Sequence, residues 1–115
     1  DKLSILEIKQ EKIKDTDKLE YINDEYSVLK EQLSKNVKSD EKLNKLFNSL
    51  KEINSKLWVI EDNKRMCEKN SDFGEKFIKL SRDVHFLNDD RAKIKFQINE
   101  HTGSKIKEIK EYTKY

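Results

Sequence analysis

Between Ser71 and His101 apolar side chains return at alternating spacings of three and four, as Phe73, Phe77, Leu80, Val84, Leu87, Ile94 and Ile98. That period predicts one long amphipathic helix of about thirty residues with a single apolar stripe. Arg91 is the position that interrupts the stripe, and polar residues gather around it: Arg82, Asp83, His85, Asn88, Asp89, Asp90 and Asn99. Upstream, Leu43, Leu46, Phe47, Leu50, Ile53, Leu57, Ile60 and Cys67 form a second stripe with Trp58 on its flank. A helix is therefore expected from about Glu41 to Asn70, N-capped by Ser39-Asp40. Asn70-Ser71-Asp72 ends it, and Asp72 with Glu75 has capping-box spacing for the start of the next helix. Two long helices joined by so short a turn must fold back as an antiparallel hairpin. With both arms rising about 1.5 Å per residue, residue x lies roughly opposite residue 142 minus x. Leu57 then falls near His85, Asn54 near Asn88, and Glu61 near Arg82.

The N-terminal third reads as two further helices. Leu3, Leu6 and Ile13 mark one side of the first, with Ile5 and Ile8 widening its apolar face. Leu19, Ile22, Tyr26, Leu29 and Leu33 mark the second, on a stripe rotated by more than a quarter turn from the first at about 100° per residue. One straight helix could not bury both, so a break is expected near residues 15 to 16. There Asp15-Thr16-Asp17 offers caps, and Asp17 with Glu20 makes a capping-box pattern. Ser34 to Asp40, polar apart from Val37, reads as a connection. The segment from Tyr21 to Leu33 is expected to pack along the hairpin as a third arm, giving a bundle with coiled-coil-like seams. Gly103 stands where an αL C-cap belongs, and a short last helix with Ile106, Ile109 and Tyr112 should follow. The expectation is an all-α bundle, one domain over residues 1–115.

Composition narrows this picture. No Pro, two Gly and 42% charged residues leave nothing from which to build a sheet with tight hairpins. A chain of 115 residues buries a modest core. The 25 Lys+Arg and 23 Asp+Glu are interspersed, so no one-signed field exists to capture nucleic acid or anionic lipid. The Lys105, Lys107 and Lys110 tail is a weak nucleic-acid signal at a net charge of +2. No apolar run approaches the roughly twenty residues that span a bilayer, and no signal-peptide core is visible. A soluble, cytoplasmic protein without a membrane partner is expected. The single Cys67 rules out an internal disulfide and fits a reducing compartment. Its place on the apolar side of its helix reads as a small buried hydrophobe rather than a nucleophile.

The polar positions on the two long helices are the candidates for chemistry. Asn54, Trp58, Glu61, Asp62 and Arg65 on one face Arg82, Asn88, Asp89 and Arg91 on the other. Glu61 and Arg65 are four apart in the favourable acid-first order, and a guanidinium can hold a carboxylate bidentately. The favoured reading is a salt-bridged polar layer that fixes helix register. The other is a pocket in which Arg82 and Arg91 hold an anionic sugar or nucleotide phosphate beside the Trp58 ring. His85 and Asp89, with Glu61 or Asp62, could in principle ligate a metal. The paired Glu-x-x-His motifs of di-iron bundles are missing, so no metal is expected and His85 reads as structural or solvent-facing. His101, at a helix C-terminus, reads as a cap.

Ile78, His85, Ala92 and Phe96 form a second stripe, expected to lie under the short terminal helices; the alternative is a homodimer seam. No Gly-rich phosphate loop, Ser-His-Asp set or Cys-pair zinc signature occurs. Neither catalysis nor a cofactor is expected. The function so read is a helical interaction or oligomerisation module that binds a protein partner or itself.

Four segments carry a family resemblance: DKLSILEIKQEKI at 1–13, LWVIEDNKRMCE at 57–68, DFGEKFIKLSRDV at 72–84 and NDDRAKIKFQIN at 88–99. Through them the chain resembles a family of short, all-helical, functionally uncharacterised bacterial proteins. The resemblance implies a short segment ahead of the DKL motif and a loose association with cell-envelope sugar loci. It implies no activity.

Overall fold

The computed structural model describes residues 1–103 and forms four helices, α1 (Lys2–Lys12), α2 (Thr16–Asn36), α3 (Glu41–Lys69) and α4 (Glu75–His101). Among the described residues there is no strand, and the fold is all-α. The expected last helix and the Lys105–Lys110 tail lie outside the described residues.

The hairpin of α3 and α4 is built as the pattern expects, with one altered joint. Asp40 caps α3 by accepting from the Leu43 N–H at 2.7 Å, which satisfies a donor that the first turn cannot. At the other end Ser71 takes a left-handed backbone (φ 54°), and the Asp72 N–H returns to the Cys67 carbonyl at 2.8 Å. The Asp72/Glu75 capping box does not form. Asp72 Oδ1 instead accepts from the Gly74 N–H at 3.3 Å, a two-residue Asx turn that leaves Gly74 in the cap position. The helix therefore starts at Glu75, and Phe73, the first residue of the stripe, sits exposed in the turn with its ring edge-on to Phe77 at 5.5 Å.

The register lies within one residue of the expected one. The Lys64 ammonium stands 5.8 Å from the Phe77 ring centre, and His101 reaches Asp40. In that last contact Nε2 lies 2.7 and 2.9 Å from the two carboxylate oxygens, so the end of α4 is stapled to the start of α3. Gly103 takes the left-handed conformation expected of it (φ 64°).

The helix lying along the hairpin is α1, not α2. Its apolar residues cover two sides, as a helix enclosed by two neighbours requires. One side packs on α3 and the other on α2. Ile8 and Ser4 are fully buried, and Leu6 forms a buried cluster with Ile22 and Leu29, ringed by Leu3, Ile13, Tyr26, Leu33 and Val37. The expected third arm, Tyr21 to Leu33, is therefore corrected: α2 makes no close backbone approach to α3 or α4. Among the described helices its single stripe packs on α1, whereas α1 has two faces to bury and takes the place beside the hairpin.

The joint between α1 and α2 falls where the rotated stripes place it, and Asp15, the first of the three cap residues expected there, takes the cap. After the extended Ile13, Asp15 accepts from the Asp17 and Lys18 N–H groups at 3.0 and 3.3 Å. Asp17 and Glu20, the expected box, fall inside the helix. Lys51 Nζ fastens α1 to α3, 2.7 Å from Glu11 and 3.2 Å from Glu7.

Leu50 has no exposed surface, so Leu50→Ala should lower stability by about 2–5 kcal/mol in urea unfolding. Two pH dependences follow from the staples. The Leu43 N–H first, and then His101, hold the Asp40 carboxyl below its ordinary value of 3.8. Their contribution is present above that pH and lost as pH falls through the lowered native value. In acid-unfolding curves His101→Gln should shrink it. The Glu11 carboxylate, and then Glu7, raise Lys51 above its ordinary 10.5. That contribution is intact below this pH and lost as pH rises through the raised native value; Glu11→Gln should flatten the alkaline limb.

Candidate functional site

The candidate residues meet where α1 enters the junction of α3 and α4. Asp1 precedes α1 in the N-cap position, yet its carboxylate makes no capping bond to the first turn. Arg91 takes it instead. Nε donates to Oδ1 at 3.0 Å and Nη2 donates to Oδ2, a bidentate fork of the kind that favours guanidinium over ammonium. Asn54 Nδ2 donates to Asp1 Oδ1 at 3.0 Å, and Lys95 Nζ lies 3.5 Å from Oδ2. Ser4 Oγ donates to the Asp1 backbone carbonyl at 2.7 Å and accepts from Asn54 Nδ2 at 2.8 Å.

Burial explains why so many partners converge. The Asp1 side chain is only 10% exposed, and a carboxylate removed from water without partners would be strongly disfavoured. Ser4 and Asn54 are buried polar residues, and each is satisfied within the network. The Arg91 side chain keeps 29% of its surface.

Beside this knot lies a groove of about 330 Å³, whose apolar lining is Ile5, Ile8 and Leu57. Asn54, Trp58, Glu61, Asp62, Arg65, Asn88 and Arg91 complete it, so most of the polar positions do share one place. Arg82 and Asp89 do not line it. Arg82 lines a shallow depression with Ile78 and Phe86 on the outer face of α4, and Asp89 lies 3.8 Å from His85 along the same helix.

The helical wheel explains the separation. Arg82 and Arg91 are nine residues apart, which at about 100° per residue sets them on opposite faces. The two-arginine clamp is therefore not assembled, and Arg91 already holds a carboxylate from its own chain. The expected Glu61–Arg65 pair is also replaced: Arg65 Nη1 lies 3.9 Å from Asp62, and Glu61 has no ion-pair partner among the described residues.

Asp1, Ser4 and Lys95 complete the network without having been expected in it. An acidic residue ahead of a helix looks like an ordinary cap, and Ser4 looks like first-turn polarity. Among the described residues no three His, Cys, Asp or Glu side chains come together to hold a metal ion. Cys67 is buried, as expected. No helix among them is long and apolar enough to cross a membrane.

Over residues 1–115 the chain matches the model of a protein family described as a family of unknown function (DUF6165). No curated protein and no solved structure matches it.

The network predicts the sign of one substitution. An arginine that only set register could become leucine at little loss. Here Arg91→Leu strips the fork from a nearly buried carboxylate, so stability should fall by about 1–3 kcal/mol in urea unfolding. Asp1→Asn in the same background should recover part of that loss, a coupling that a double-mutant cycle measures.

Proposed function

Because the chain belongs to a family of unknown function, its role has to be read from its surfaces, and we propose a non-enzymatic helical interaction module that pairs with a second copy of itself through the outer face of α4. The observation that carries this reading is the exposure of Ile78 (55%), Phe86 (55%) and Phe96 (64%) in a chain that is 42% charged. His85 and Ala92 lie exposed on the same stripe; of the short terminal helices expected to cover it, α1 packs on α2 and α3 instead, and the last lies outside the described residues.

Isolated apolar residues at a surface are ordinary, but a row of them along one helix face is not. Ile78 and Phe96 stand about five turns apart on one side of α4, roughly 27 Å. The stripe is self-complementary. An antiparallel two-fold pairing across the outer face, with its axis at the height of residue 87, sets Ile78 against Phe96 of the second copy, and His85 against its Asp89. This is the reciprocal arrangement that an isologous interface requires. A cytoplasmic location belongs to the same proposal, supported by one buried thiol and no disulfide partner.

A second reading, a small-molecule site, is favoured by the groove that gathers Trp58, Glu61, Asp62, Arg65 and Asn88. With Arg82 on the opposite face and Arg91 held by Asp1, Arg65 is the cation left for an anionic sugar or nucleotide phosphate. A link to cell-envelope glycan metabolism would stand only on this second reading.

Light scattering on a size-exclusion column should show a dimer at high micromolar concentration and a monomer for Phe96→Glu. As an exposed substitution, Phe96→Glu should change monomer stability by no more than about 0.5 kcal/mol. A wild-type monomer at that concentration removes the self-pairing. Calorimetry with a panel of sugar nucleotides tests the groove, where Arg65→Ala should abolish any heat observed.

A further inference from the structure

The departure of α2 from the hairpin leaves a space that the self-pairing face does not use. α2 follows α1, so a wedge opens between its C-terminal half and the first turns of α3, bridged by residues 37–40. This cleft has a volume of about 520 Å³, within the range of roughly 300–1,000 Å³ usual for small-molecule sites. Its apolar lining comes from three directions: Tyr26, Leu33 and Val37 on one side, Leu43 and Phe47 on another, and Ile98 from α4.

The charges at the cleft are unequal in what they have left to do. Its two carboxylates are both engaged, Asp1 by Arg91 and Glu7 by Lys51 at 3.2 Å. Lys30 and Lys38 also border the cleft and have no carboxylate partner among the described residues. Lys30 instead leans over the Tyr26 ring, 5.5 Å from its centre. Unneutralised positive charge thus stands beside an apolar recess.

We infer that this cleft binds a single-chain amphiphile with an anionic head, its hydrocarbon chain lying against Leu33, Val37, Leu43 and Phe47 and its head at Lys30 and Lys38. A space of this volume accepts one chain; it is too small for the apolar face of a partner helix, whose diameter is about 10–12 Å. Free acyl carboxylates and lipids share this chemistry, and the test separates them.

Calorimetry of the full chain with octanoate, decanoate and dodecanoate, each below its critical micelle concentration, tests the inference. One site per chain is expected, tightening about threefold to fourfold for each added methylene. Lys30→Glu/Lys38→Glu exchanges two exposed residues and should keep the helical circular-dichroism signal while weakening binding by about tenfold or more. Lys56→Glu, on the opposite edge of the hairpin, should leave affinity unchanged. Dodecyltrimethylammonium should bind at least about tenfold more weakly than dodecanoate. No saturable heat with any of the three carboxylates overturns the inference, as does equal affinity for the cationic amphiphile or unchanged affinity in the double variant. Binding to phosphatidylglycerol vesicles without binding to the monomeric carboxylates also overturns it, because the contact would then be with a membrane surface.

Discussion

A guanidinium forked onto a carboxylate orients the shortest described helix on the hairpin, beside the Lys51 staple and the burial of Ile8. Asp1 gives up the role that its position offers, a cap worth about 1 kcal/mol to its own helix, and accepts Arg91, Asn54 and Lys95 instead. Because Ser4 and Asn54 join the same network, the orientation of α1 on the hairpin is fixed by directional bonds as well as by burial of Ile8. Among the described helices, α2 in turn packs closely on α1 and on no other. The cleft between α2 and α3 and the polar groove beside Arg91 are two sides of that one docking event.

The hairpin is held differently. Its two ends are closed by a left-handed Ser71 and by the Asp40–His101 contact, and between them the stripes of α3 and α4 face each other. Asp40 lies at the positive end of the α3 dipole and His101 at the negative end of the α4 dipole. Each is suited to its own helix before the two meet. Among the described residues the outer face of α4 takes no part in these closures, and Ile78, Phe86 and Phe96 stand exposed on it.

How much of this could be read from the residues differs by element. The hairpin was legible because three signals agreed: two long stripes, a good cap at Asp40 and a connection too short for anything but reversal. The partner of α2 was not, because an apolar stripe says that a face is buried and not what covers it. The separation of Arg82 from Arg91 was legible, since their spacing alone sets them half a turn apart. The part of Asp1 was illegible, because its only local signature is that of an N-cap. The capping boxes failed for a local reason: at both sites a neighbouring residue, Asp15 or Gly74, reached the cap position first.

The Asp1–Arg91 bond joins residues 90 positions apart. Closing so long a loop is entropically late in folding, whereas the hairpin forms from contacts across a tight turn. Loop-closure cost therefore favours an order in which α3 and α4 zip before the α1–α2 pair docks onto them. The reverse holds in the native state. Release of one carboxylate would free the N-terminal unit from the network that orients it on the hairpin, making it the cooperative segment whose amides exchange at lower free energy than those of the hairpin.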